Sequence, residues 1–235
     1  MEKSTPFKNS GKLIVLCGTD GSGKATQTRL LIEKLRLSKI KVETTDFPQY
    51  GNPSAAMVEQ YLNGKFGSAE EVGPYKASIF YAIDRYAASF QMKKWLEEGK
   101  TIVSNRYVSA NLGHQGGKIS DPEERKIFME WVLDLEFNIF GIPKPDVNIF
   151  LHVPSDLAQS LVDKKRKREY LGEKKRDIHE DDLSHLKNAE QVYLQLCETD
   201  PSWIMIECAS NNIMLSKDKI AAQVWKEVSS RLKIV

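Results

Sequence analysis

The sequence predicts an α/β fold, a parallel sheet with helices on both faces. Three observations carry that reading. Five short runs rich in β-formers alternate with longer helical patterns along 235 residues. Most of these runs are short and predominantly apolar, as strands buried on both faces are. The first run leads through a glycine-rich turn straight into a long helix.

Leu13–Cys17 (LIVLC) is the first strand. Lys24–Leu37 is a helix, with Leu30, Leu31, Ile32 and Leu35 at core spacing. Lys41–Asp46 is the second strand. It is broken at Phe47–Pro48, because the residue before a proline is pushed into extended conformation. Pro53–Leu62 is a short helix ended by Asn63–Gly64. A long helix runs from about Pro74 to Glu98, with proline near its first turn and Gly99 past its end. Thr101–Ser104 is the third strand, and another helix begins within Tyr107–Gly113. Pro122–Asn138 is helical, with acids in its first turn. Asp146–Val153 is the fourth strand. Ser155 then caps a helix that enters the charged stretch 163–177. Asp182–Glu198 is helical, Trp203–Glu207 is the fifth strand and Lys217–Leu232 the last helix. No repeat, low-complexity tract or linker divides the chain, so 1–235 reads as one domain, with 1–11 a flexible polar arm.

Composition narrows the function. The chain is 41% hydrophobic and 28% charged, near the norm for a soluble domain. A net charge of +2 supplies no basic field to draw nucleic acid or an anionic membrane. Cys17, Cys197 and Cys208 are too scattered for a disulfide framework or a metal knot, which suits a reducing compartment. No apolar window is long enough to span a bilayer, and the polar N-terminus lacks the apolar core of a secretory signal. The expectation is a cytoplasmic protein without nucleic-acid or membrane partners.

Gly18-Thr19-Asp20-Gly21-Ser22-Gly23-Lys24 follows the first strand and opens the first long helix, matching G-x-x-x-x-G-K. Glycines let successive N–H groups curl around phosphate oxygens, and the helix turns its positive end on the same anion. Lys24 adds a mobile full charge and should stand exposed in the empty site. The next residue is ordinarily Ser or Thr, whose hydroxyl ligates Mg²⁺; here it is Ala25, with Thr26 one step on. No direct metal ligand is assigned. Asp20 is a candidate through water.

Further segments go with this loop. Phe47-Pro-Gln-Tyr50 ends the second strand, Tyr81-Ala-Ile-Asp84-Arg85 lies in the long helix, and Asn105-Arg106-Tyr107 ends the third strand. Asn111, His114 and Gln115 follow, and Gly141-Ile-Pro-Lys-Pro-Asp146 leads into the fourth strand. In this order and spacing the chain, from about Leu13 onward, resembles the thymidylate kinase family. The resemblance implies a P-loop NTPase fold with five parallel strands, a homodimer, and transfer of the ATP γ-phosphoryl group to dTMP with Mg²⁺. It implies that Phe47 and Tyr50 belong to the acceptor-phosphate segment. Tyr81 would stack on thymine and Arg85 read its edge. Arg106 would bridge the two phosphates, and Asn111 would bond the base. His114 stands where Tyr or Phe usually guards the sugar, beside Gln115. Asn105 departs from the aspartate usual before Arg-Tyr. Each residue also has a plainer reading: Arg85 as a surface partner of Asp84, Tyr81 as core, His114 as a packing histidine.

The basic run 163–176 admits three readings: a nuclear or nucleic-acid signal, a solvated helix face, or a lid. Its place after the fourth strand's helix matches the family's lid, over about 163–180, with Arg166, Arg168 and Arg176 as candidates to fold over ATP. Two other functions stay open: a kinase for another nucleoside or monophosphate, and a catalytically weak nucleotide-binding homologue. On the long helix, Ile79, Phe80, Ile83, Tyr86 and Phe90 offer more apolar surface than one sheet face needs, so a twofold mate is expected.

Overall fold

The computed structural model describes residues 11–168 and 183–232, with 163–168 described by backbone alone. Its strands are β1 (Leu13–Cys17), β2 (Val42–Asp46), β3 (Thr101–Asn105), β4 (Val147–His152) and β5 (Trp203–Glu207), with a short β6 (Ala209–Ser210) and β7 (Ile213–Met214). Its helices are α1 (Lys24–Leu37), α2 (Ala56–Leu62), α3 (Ala69–Glu97), α4 (Val108–Ala110), α5 (Pro122–Leu133), α6 (Ser155–Arg168), α7 (Leu183–Thr199) and α8 (Lys217–Leu232).

The main sheet is parallel in the order β2-β3-β1-β4-β5. The chain runs from the centre to one edge, returns to β3 beside β1, then steps across to β4 and β5. A reversal of this kind opens a crevice beyond the C-terminal ends of the strands. Successive side chains of β1 go to opposite faces. Leu13, Val15 and Cys17 join a core with residues of α3, α5 and α7. Ile14 and Leu16 join another with α1 and α8.

Three elements differ from expectation. The long helix begins earlier: Ser68 and Glu71 form a capping box at its start, and a first turn runs to Val72. Gly73 then breaks it at φ 75°, and Pro74 restarts it, so the predicted start is that of the regular stretch. The Pro122–Asn138 helix is α-helical only to Leu133 and π-helical over Asp134–Ile139. Likewise Tyr107–Gly113 holds one α-turn and then a π-helical turn, Asn111–Gln115. The β6–β7 hairpin went unpredicted; its Asn211 and Asn212, at φ 50° and 60°, make the tight turn that asparagine tolerates. Gly11, assigned to the arm, donates its N–H to Leu96 O at 2.8 Å. Residues 169–180 of the expected lid lie outside the described residues. No described helix is long and apolar enough to cross a membrane.

Candidate active site

The phosphate loop joins β1 to α1 at the mouth of the crevice. Gly21 has φ 84°, and a Cβ there would come within 2.5 Å of Ala158 O, so the loop closes against α6 only with glycine. Gly23 caps α1 at φ 82° with no side-chain hydrogen bond, and no acid occupies the first turn of the helix. The helix end therefore keeps its donors and positive potential for an anion.

Lys24 was expected to stand exposed. Instead it is only 7% exposed and donates to Thr19 O at 2.8 Å. Burial, reinforced by the Arg106 charge, pushes its ammonium down to about 7. Asp20 lies 3.7 Å from Lys24 Nζ and accepts a hydrogen bond from Arg106 Nη2. The Arg106 charge holds the Asp20 carboxyl well below the usual carboxylate range. Arg106 has a left-handed φ of 64°, uncommon for a side chain of its size, and its N–H donates to Leu16 O at 2.9 Å. This backbone bend, at the end of β3, puts the guanidinium where the loop and the rest of the cleft meet.

The cleft holds about 640 Å³ and is lined by Asp20, Gly21, Gly23, Lys24, Ala25 and Thr26 on the loop side. Phe47, Tyr50, Tyr81, Arg85, Arg106, Asn111, His114 and Gln115 also line it, so the structure gathers nearly all the predicted residues around one space. Gly18, Thr19 and Ser22 belong to the loop without lining the cleft; Thr19 and Ser22 are buried. Leu161 and Val162 of α6 close one side. The side chains of Arg166 and Arg168, and all of Arg176, lie outside the described residues.

In the far half of the cleft, Arg85 is not a surface partner of Asp84. Its Nε and Nη2 donate to Glu136 Oε2 and Oε1, both at 2.6 Å, and Nη1 reaches Tyr107 O at 3.4 Å. Both members of the pair are buried. A guanidinium has five N–H donors, so this network leaves two for the cleft. Asp84 instead accepts from Gln49 N at 2.8 Å and Ser54 Oγ at 2.7 Å, anchoring the segment after β2 to α3. Asn111 Nδ2 donates to Ser78 O and lies 3.4 Å from Glu136 Oε1. Gln115 is buried, with its Oε1 unpartnered among the described residues. Tyr81 packs edge-on against Tyr61, and Phe47 against Tyr107. His114 Nε2 is 3.3 Å from Arg106 Nη1, and its Nδ1 is 3.4 Å from His185 Nε2.

Sequence reasoning missed Glu136, His185 and Asp46. A signal for the first was present: Phe128, Val132 and Glu136 are spaced by four, and all three are fully buried. A glutamate on an apolar stripe is buried only with a partner. His185 follows the charged stretch and carried no pattern. Asp46 looked like the polar end of a strand.

No group of three His, Cys, Asp or Glu among the described residues is placed to hold a metal ion. That donor set still fits Mg²⁺, which takes one or two carboxylates together with substrate phosphates and waters. Asp20 and Asp46 are hard oxygen donors on the cleft wall.

A family model described as thymidylate kinase matches residues 16–220. A thymidylate kinase from Mycobacterium tuberculosis is 28% identical over 185 residues, covering 78% of this chain and 85% of that protein. One from Schizosaccharomyces pombe is 25% identical over 204 residues, 87% of each. The solved structure of the thymidylate kinase of Candida albicans shares the fold, with a TM-score of 0.72 at 20% identity over 96% of this chain and 94% of that one. With a family match over most of its length, a phosphate loop opening on the cleft and a parallel sheet in the order just described, the chain belongs to the thymidylate kinase family.

Proposed function

We propose that this chain transfers the γ-phosphoryl group of ATP to dTMP, giving dTDP and ADP. The observation that carries the reading is a single cleft that joins the phosphate loop to an aromatic pocket floored by Arg85 and Asn111, which Glu136 holds from behind, with Arg106 at the seam. The loop amides and the α1 N-terminus take the ATP phosphates, and Lys24 exchanges Thr19 O for them. Arg106 exchanges Asp20 for the acceptor phosphate. The bond between the γ-phosphorus and its bridging oxygen breaks as an acceptor phosphate oxygen attaches, so both anions must be aligned and their charge neutralised. No general base is needed, because the acceptor is already ionised. Bound Mg²⁺ would help neutralise the charge of the donor phosphates, with Asp20 a residue to hold it through water.

On the acceptor side Tyr81 stacks on the base, Arg85 offers its two remaining donors to a carbonyl edge, and Asn111 and Gln115 complete that wall. Tyr50, exposed at the rim, reaches the acceptor phosphate, with Phe47 packed beneath that segment. Arg166, Arg168 and Arg176 are the candidates to meet the ATP phosphates, within one catalytic domain whose compartment is the cytoplasm. The chain pairs as a homodimer through α3, where Ile79, Ile83, Tyr86 and Phe90 are 38%, 40%, 40% and 61% exposed. Phe80 turns inward against Tyr61 instead. Light scattering that gives a monomer at micromolar concentration would remove the dimer.

A coupled assay with ATP, Mg²⁺ and a panel of dTMP, dUMP, dCMP and thymidine tests the reaction. Turnover fastest with dTMP is expected. Turnover with thymidine alone, or with none of them, would overturn the reading.

A further inference from the structure

β2 and β3 end side by side, and the last pair in register is Asp46 opposite Asn105. Asn105 Nδ2 donates to Asp46 Oδ1 at 3.0 Å. Both residues line the cleft with Lys24 and Arg106. Those two cations influence Asp46 from a distance but make their ion pairs with Asp20. Asp46 is thus an exposed carboxylate with no ion-pair partner among the described residues, on the wall of a cleft shaped for two phosphate-bearing molecules. Such a charge repels both unless a cation arrives with them.

The amide opposite fits this role. A carboxylate at position 105 would face Asp46 directly across the strands, and like charges there destabilise the pairing. An amide removes the repulsion and supplies a donor. Its orientation follows from the same chemistry: turned the other way, Asn105 Oδ1 would meet the carboxylate. The orientation adopted leaves Oδ1 buried without a partner among the described residues, so the contact to Asp46 outweighs an unmade hydrogen bond. Mg²⁺ asks for little more than one or two such carboxylates beside phosphate oxygens.

Resting on the kinase reading above, we propose that Asp46 supplies the carboxylate on the metal side of this site. It binds the divalent cation of the metal–ATP complex, directly or through one of the cation's waters, and Asn105 positions it. The carboxylate that the resemblance leads one to expect at the end of β3 is carried one strand over, at the end of β2.

The test uses the full chain, Mn²⁺ as the probe and a non-hydrolysable ATP analogue. Free Mn²⁺ is followed by electron paramagnetic resonance, and metal-free binding by a fluorescent ATP analogue in EDTA. Asp46→Asn is expected to weaken Mn²⁺ in the ternary complex by roughly tenfold or more. Metal-free nucleotide binding stays equal or tightens, because a repelling charge is gone. Mn²⁺ held as tightly as in the wild type would overturn the proposal. So would equal losses with and without metal, which would mean that Asp46 acts through the fold. A wild-type chain that binds no nucleotide even in EDTA would remove the kinase reading itself, and this proposal with it.

Discussion

Along the phosphate-loop wall of the cleft, Asp20 and Arg106 pair within reach of solvent, with the buried Lys24 ammonium 3.7 Å from the same carboxylate; at the far end, Arg85 and Glu136 pair in the interior. The Asp20 side chain is 52% exposed and that of Arg106 23%, against 1% and 0% for Arg85 and Glu136. The first set can trade partners. On the proposed function, an arriving phosphate takes Arg106 from Asp20 at little cost, because the carboxylate returns to water. The second set cannot trade, because either member left alone in a low dielectric is strongly destabilised. One half of the cleft is therefore built from charges that move between partners, and the other from charges that form a fixed frame. The moving half suits the transferring group, and the fixed half suits the base.

The largest effect should come from breaking the frame. Glu136→Ala is expected to lower stability by about 3–5 kcal/mol, read from the denaturant midpoint, because it strands the Arg85 guanidinium. Arg85→Met with Glu136→Leu should recover most of that loss, since apolar replacement of a whole buried pair is often neutral. The double variant would still be impaired with dTMP. A loss below about 1 kcal/mol in Glu136→Ala would place the pair with ordinary surface bridges and end the contrast.

Breaking the moving half should leave the fold intact. Lys24→Ala is expected to reduce kcat by about 10²–10³-fold, the usual cost of removing one donor from a preorganised charge-stabilising site. Its Tm should hold or rise. With the ammonium at about 7 in the folded chain, the unfolded chain binds the extra proton from there up to the ordinary lysine range. Stability gains with pH across that window, and Lys24→Ala should flatten this slope between pH 7 and 10. A variant with wild-type turnover would remove the phosphate loop from the mechanism.

This contrast also marks how far the sequence could be read. The moving half is built from a contiguous motif set between a strand and a helix, and its chemistry is local. Most of the strands announced themselves by predominantly apolar runs of the right length, whereas β2 (VETTD) is polar and lies at the sheet edge. The frame depends on Asp134–Ile139 winding as a π-helix, which carries Glu136 under an arginine 51 residues earlier in the chain. No local pattern specifies that winding. Lys24 was misjudged for a similar reason: the bond that draws its ammonium inward goes to a backbone carbonyl, Thr19 O, which no residue type in the motif announces. The Asp46–Asn105 pairing needed the register of two strands separated by 59 residues.

The frame itself predicts how base choice divides. Tyr81 offers a flat face to any base, and Tyr81→Ala should weaken dTMP and dCMP alike, by roughly 1–3 kcal/mol per stacked ring. Arg85 offers donors, which a carbonyl edge accepts and an exocyclic amine does not. In the Arg85→Met/Glu136→Leu background the dTMP-to-dCMP ratio of kcat/KM should therefore fall, whereas in Tyr81→Ala it should hold. A ratio unchanged in the double variant would reject Arg85 as the reader of the base edge.

The smallest expected effect lies at the seam, where His114 lines the cleft beside Arg106. Arg106 can only donate, so His114 Nε2 must accept, and the neutral ring carries its proton on Nδ1, directed at His185 Nε2. Protonating Nε2 would set an N–H against the guanidinium. Burial and the Arg106 charge, with further repulsion from His185 and Lys24 only partly offset by Asp20, hold this imidazole well below the usual histidine range. Near pH 6.5 the unfolded chain takes up a proton that the folded one refuses, so stability falls as pH drops through the usual histidine range and below it. His114→Phe keeps an aromatic ring against Tyr193 and removes the titration. Between pH 6.5 and 5 the wild-type Tm should fall more steeply than that of His114→Phe, by about 2–4 °C if the term is worth about 1 kcal/mol. The Asp20 contribution belongs to a lower window, below the ordinary carboxylate range, and leaves this comparison untouched. Parallel curves would show that the histidine titrates as freely in the fold as out of it, and the seam would then belong wholly to the exposed, exchanging half of the cleft.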